Sequence, residues 1–141
     1  MLNVTSGYLV DTHGTGELEF IDVPAAAMPL ADILALVDRF ARMPPLASYN
    51  PEQAGDHAWL SVIDRGFVFH AYFDELDVSF ELYGPFPPGT EMDQRDPYDG
   101  SGLAGHMSCQ AVKEVLAMLN RDLSPREYVQ EHGEEVEVVE D

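Results

Sequence analysis

The chain has 141 residues, and 26 acidic against 7 basic side chains give it a formal net charge of −19 at pH 7. Its 45% hydrophobic fraction, with 10% aromatic residues, is typical of a folded globular domain and argues against a disordered chain. The charge excludes nucleic-acid binding through a basic surface and contact with anionic membranes, and it favours a basic protein as partner. Solubility alone is the other common reason for such acidity.

The first residues predict a small N-terminal hairpin. Two short strand-like runs, residues 8–10 and 18–21, flank a segment that contains Gly14 and Gly16, and Pro24 is expected to end the hairpin. The glycines lack the lysine and the following helix of a phosphate-binding loop, so a turn is the favoured interpretation.

A helix is predicted next, because apolar residues recur at spacings of three and four between Pro29 and Pro44. Pro29 suits the first turn of a helix, and the pair Pro44 and Pro45 stops it near Met43. The resulting apolar stripe should lie across one face of a sheet. It consists of Leu30, Ile33, Leu34, Val37, Phe40 and Ala41.

Residues 59–83 predict a three-stranded antiparallel meander, since three runs rich in aromatic and β-branched residues are joined by short turns with Asp and Gly. In the third run Val78, Phe80 and Leu82 alternate with polar residues, so one face can be buried while the other faces water. Together with the hairpin, this predicts an α+β fold with an antiparallel sheet of about five strands and two to three helices.

Residues 84–102 are rich in glycine, proline and acid, which predicts a long loop. Long loops in compact domains are often functional or simply mobile. Acidic side chains with aromatic anchors are what binding to a basic protein requires, so the predicted partner-binding residues extend from the last meander strands into this loop. They are Asp74, Glu75, Asp77, Glu81, Phe86, Glu91, Asp93, Asp96, Tyr98 and Asp99.

The C-terminal part predicts two more helices. Ser108 is a suitable N-cap for an amphipathic helix, and residues 124–127 form a capping box for a short helix that Gly133 can end. We therefore expect one domain over residues 1–133. Residues 134–141 alternate acid with valine in part, which allows an edge strand or a disordered acidic tail, and disorder is favoured.

The cysteine content and hydropathy predict a cytoplasmic protein. A single cysteine, Cys109, leaves no intrachain disulfide, so the fold does not depend on an oxidising compartment. No stretch of the sequence has the length of a membrane span, and residues 1–4 lack the basic start of a signal peptide.

No catalytic or metal-binding motif stands out in the sequence. The histidines are His13, His57, His70, His106 and His132. None of them has a partner at zinc-site spacing, and Cys109 is expected to be a small buried thiol. The acidic residues near Gly100 do not follow the order of a twelve-residue calcium loop. We therefore predict no catalysis, no cofactor and no metal.

Residues 58–70 and 108–128 resemble the central hairpin and the closing helix of the Imm1 group, the immunity proteins of bacterial polymorphic toxin systems. In this sequence no tryptophan follows Pro125, where such domains often have one. The resemblance implies a non-catalytic protein that covers the active site, or an adjacent surface, of a basic, nucleic-acid-targeting toxin. Two alternatives stay open: a phage-type DNA mimic that inhibits a nucleic-acid-binding enzyme, and a small ligand-binding domain or enzyme. The oligomeric state does not follow from the sequence.

Overall fold

The computed structural model describes residues 1–10, 19–42, 58–64, 66–73, 78–87 and 102–139. Within these residues it has an α+β fold with an antiparallel seven-stranded sheet in the order β2-β1-β3-β4-β5-β6-β7 and three helices. The predicted fold class is confirmed, but the sheet is larger than the five strands expected. The elements are β1 Leu2–Val10, β2 Glu19–Met28, α1 Leu30–Ala41, β3 Ala58–Ile63, β4 Val68–Phe73, β5 Val78–Tyr83, β6 Gly102–Met107, α2 Cys109–Asn120, α3 Arg126–His132 and β7 Glu134–Val139.

The predicted meander forms the centre of the sheet as β3, β4 and β5. Leu60 lies opposite Ala71, and Ala71 lies opposite Phe80, so apolar side chains of all three strands share one face. The Asp64 carboxylate accepts hydrogen bonds from the N–H groups of Gly66 and Phe67, at 2.9 and 2.8 Å, and so stabilises the first turn.

The helices cover one face of the sheet. Ile33, Val37 and Phe40 of α1 join the buried cluster that also contains Val115 and Leu116 of α2. The predicted Ser108 cap is confirmed, because its Oγ accepts a hydrogen bond from the Ala111 N–H at 3.1 Å. For α3 the cap residue is Pro125, one position after Ser124, which is the first residue of the predicted capping box. We call the opposite side of the sheet the helix-free face.

The N-terminal hairpin is longer than predicted, and the expectation that Pro24 ends it is wrong. β2 continues through Pro24 to Met28 and pairs with β1 along its length. An edge strand tolerates proline, because one side of its backbone has no neighbour within the sheet. The register of β1 against β2 also shifts between Val4 and Ser6, opposite this part of β2.

Two strands, β6 and β7, were not predicted as such. The sequence of β6 contains Gly102 and Gly105, which obscure the strand pattern. Residues 134–139, for which disorder was favoured, instead form the edge strand β7 and pair with β6. The sheet therefore extends beyond the predicted domain end at residue 133.

The pairing of β6 with β7 contains a bulge. Ala104 lies opposite Glu137 and His106 opposite Glu134, so β7 has one more residue than β6 in this interval. Glu135 adopts a φ of 53° there. A Cβ on Gly105 would lie 2.7 Å from the Glu134 carbonyl oxygen, so only glycine allows this close approach.

Candidate functional site

Glu81 and Phe86 are the predicted partner-binding residues that the structure describes. Phe86 is 8% exposed and packs against Val68 and Tyr83, and its N–H donates to the Gly66 carbonyl oxygen at 2.8 Å. Its side chain is therefore part of the fold at this end of the sheet. The other predicted residues lie outside the described part of the chain: Asp74, Glu75, Asp77, Glu91, Asp93, Asp96, Tyr98 and Asp99.

Glu81 lies on the helix-free face in a row of polar side chains across three strands. The Cα partner of Glu81 on β4 is His70, and the partner of His70 on β3 is Ser61. The Ser61 Oγ and the His70 Nδ1 are 2.6 Å apart, and the Tyr83 hydroxyl donates to the Glu81 carboxylate at 2.6 Å. These short contacts hold the row in a defined arrangement.

The environment of His70 favours the neutral form of its imidazole. Burial lowers the pKa of His70 below its ordinary value, while the neighbouring Glu81 carboxylate raises it to a smaller extent. The imidazole ring also contacts the ring of Tyr83 edge-on, with centroids 6.2 Å apart. Glu81 is the acidic member of the row.

The contact between Ser61 and His70 does not follow from the sequence. The two residues are nine positions apart, and only the register of β3 against β4 brings them together. The available signal was the alternation of polar residues in both strands, which indicates a shared face but not which residues become partners.

A second row lies beside the first on the helix-free face. Tyr72 is the Cα partner of Ser79, and Ser79 is the partner of His106. The β6–β7 bulge brings the Glu135 carboxylate to within 3.8 Å of the His106 Nε2, and the Ser79 Oγ is 3.4 Å from the His106 Nδ1. The bulge therefore places the Glu135 carboxylate beside His106 on the helix-free face.

A groove of about 790 Å³ lies between β5, β6 and β7 on the same face. Its walls include Tyr72, His106 and three carboxylates, those of Glu81, Glu135 and Glu137. We call it the acidic groove. Such a surface can accept ammonium or guanidinium groups through charge-assisted hydrogen bonds, and Tyr72 offers an aromatic ring for a cation.

In the described part of the chain, lysine and arginine are absent from the strands, while both the strands and the helices carry acids. None of the seven strands contains lysine or arginine, whereas β2, β5 and β7 contain acidic residues. The basic residues in the described part of the chain lie in the helices or at their ends, as Arg39, Arg42, Lys113, Arg121 and Arg126. Lys113 pairs with Asp38 at 2.5 Å, and its hydrogen bond lowers the pKa of that carboxyl group.

In the described part of the chain, no three or more His, Cys, Asp or Glu side chains are grouped so that they could hold a metal ion. No helix in the described ranges is long and apolar enough to cross a membrane. Comparisons with family models, with curated proteins and with solved structures found no match.

Proposed function

We propose that this chain is a non-catalytic binding protein for a basic protein, and that the partner docks on the acidic groove. The observation that supports this proposal is the charge of the groove: it has three carboxylates, and the described strands that form the sheet contain no lysine or arginine. An acidic surface attracts a basic partner, accelerates its association and repels other acidic molecules.

The partner that we propose is a toxin that acts on nucleic acid, which the chain neutralises as an immunity protein. The resemblance of residues 58–70 and 108–128 to the Imm1 group supports this step. An enzyme that binds nucleic acid has a basic cleft for the phosphates. Carboxylates that pair with the lysine and arginine residues of that cleft would keep the substrate out.

The test compares two variants with the same change in net charge. The groove variant has Glu81→Gln, Glu135→Gln and Glu137→Gln. The control variant has Asp32→Asn, Glu127→Gln and Glu131→Gln, which lie on α1 and α3. Each form is used to capture proteins from a lysate of the organism that carries the gene, at about 50 and about 300 mM salt, because screening weakens exposed ion pairs.

We expect the native chain and the control variant to retain the same basic protein at low salt, and the groove variant to lose it. Expression of that protein alone should arrest growth, and co-expression with the native chain should restore it. If both variants lose the protein equally, the groove is not the docking site. If no basic protein is retained by any form, the acidity serves solubility and the proposal is wrong.

The volume of the groove favours a second candidate, the binding of a small organic cation. At about 790 Å³ it is of the size of known ligand pockets, and Tyr72 lines it beside the carboxylates. Arginine and spermidine are suitable probes. If this candidate is correct, one of them should raise the melting temperature of the native chain and of the control variant but not of the groove variant.

A further inference from the structure

The described sheet has two edge strands, β2 and β7, and they differ in their ability to accept a further strand. An edge strand has backbone N–H and C=O groups that can pair with another chain. β2 contains Pro24, which has no N–H to donate to a further strand. β7 contains no proline, and beyond its bulge at Glu135 residues 137–139 pair with β6 in continuous register. β7 is therefore the more receptive edge.

The two sides of β7 have different chemistry. Glu137 lies opposite Ala104, which lies opposite Glu81, so Glu137 is on the helix-free face. Val138 lies opposite the buried Leu103 and is on the helix side, where 57% of its surface is exposed. Val136 packs against the core on that same side. A strand added to β7 would therefore meet carboxylates on one face and valines on the other.

We propose that an extended segment of the basic partner pairs with β7 as an eighth strand of the sheet. Its lysine or arginine residues occupy alternate positions beside Glu135 and Glu137, and apolar residues between them lie beside Val136 and Val138. This inference rests on the proposed function and specifies how the partner binds.

Charge decides which occupant fits this edge. A second copy of the chain would place the glutamates of one β7 beside those of the other, and each copy has a net charge of −19. Like charges directly opposite each other destabilise a strand pair. A basic strand has the opposite effect, because the same glutamates then form cross-strand ion pairs.

The first experiment uses two synthetic peptides of about eight residues with the same composition. In one, lysine and valine alternate; in the other, the lysines precede the valines as blocks. Titration calorimetry at about 50 mM salt measures both dissociation constants. We expect the alternating peptide to bind about tenfold more tightly, because only its side chains match both faces of β7.

The second experiment tests backbone pairing directly. Neighbouring residues of a strand direct their N–H groups to opposite edges. Two alternating peptides are made, one N-methylated on its lysines and one on its valines. Strand addition predicts that one of them binds like the parent and that the other loses at least about tenfold in affinity, because only one edge of the peptide meets β7.

A variant of the chain tests the pairing of charge. Glu137→Lys should weaken the alternating peptide about tenfold, whereas Glu131→Lys on α3 makes the same change in net charge and should have little effect. Amide hydrogen exchange over residues 134–139 should slow when the peptide is bound to the native chain.

The outcomes separate this inference from the proposed function. Equal binding of the alternating and block peptides, or equal effects of the two methylations, overturns strand addition. The basic-partner proposal survives that result if the groove variant still fails to capture the partner that the control variant retains. If no peptide binds and no basic protein is captured, both proposals are wrong.

Discussion

At the scale of single residues, His70 is a source of pH dependence for folding. It lies between Ser61 and Glu81 and faces Tyr72 and Tyr83 on the helix-free face. Burial lowers the pKa of His70 in the folded chain below its ordinary value of 6.5. At a given pH below that value, the unfolded chain therefore binds more protons at this position than the folded chain does.

The free energy of unfolding should consequently fall as the pH decreases from about 6.5 towards the lowered pKa of folded His70, and this contribution should be constant above that window. Urea denaturation at several values between about pH 7.5 and 5.5 measures this dependence of the free energy of unfolding on pH, since most carboxylates remain ionised in that range. The variant His70→Gln should flatten the pH dependence, whereas His132→Gln on the exposed end of α3 should not. The same slope in both variants would contradict the assignment to His70.

Gly105 is the residue that allows the β6–β7 bulge. A Cβ at this position would lie 2.7 and 3.1 Å from the carbonyl oxygens of Glu134 and Glu135, so the backbone of β7 would have to shift. We expect Gly105→Ala to destabilise the chain by about 1–3 kcal/mol and to accelerate amide exchange over residues 134–139.

Gly66→Ala is the matched control for this substitution, because a Cβ there would meet no atom within 4 Å. Its effect on the free energy of unfolding should stay within about 0.5 kcal/mol. Equal effects of the two substitutions would mean that contact with β7 is not what requires glycine at position 105.

At the scale of elements, the N-cap of α2 can be tested in isolation. The Ser108 Oγ accepts the Ala111 N–H at 3.1 Å, whereas the Ser124 Oγ is 3.5 Å from the Arg126 N and does not occupy the cap position of α3. Ser108→Ala should lower the free energy of unfolding by about 1 kcal/mol. Ser124→Ala should lower it by less, and denaturant titration of both variants measures the difference. A larger loss from Ser124→Ala would contradict this description of the two caps.

The elements that could be predicted from the sequence are those with a local signal. α1 and α2 have apolar residues at helical spacing, and the runs of the meander are rich in aromatic and β-branched residues. β6 has glycine at positions 102 and 105, which hides its strand pattern, and β7 alternates acid with valine in part, which allows an edge strand but also a disordered acidic tail. Both segments form strands because they pair with neighbouring strands. The preferences of their own residues do not indicate such pairing.

Some residues of the candidate site could be predicted from the sequence, and others could not. Glu81 could be identified because acid on the polar face of a strand is visible in the sequence. Its neighbours His70 and Glu135 could not, since the first depends on strand register and the second on a bulge. The predicted residues that follow Phe86 lie outside the described part of the chain, so their role in binding stays a prediction.

At the scale of the whole molecule, charge should influence stability as well as binding. A net charge of −19 destabilises the compact state through self-repulsion, and salt screens that repulsion. The effect should be strongest where acids have no basic residues nearby. Glu135 and Glu137 lie in a strand without lysine or arginine, whereas Asp38 on α1 pairs with Lys113.

We therefore expect the melting temperature to rise between about 20 and 300 mM sodium chloride at pH 7.5, because self-repulsion decreases. At low salt, the double variant Glu135→Gln, Glu137→Gln should melt at a higher temperature than the native chain and respond less to salt. Asp38→Asn should melt at a lower temperature, because it removes the partner of Lys113. Calorimetry of the three forms at both salt concentrations measures these shifts. A lower melting temperature for the β7 double variant would show that these glutamates stabilise the free fold, and would contradict self-repulsion at β7 as the source of the salt response.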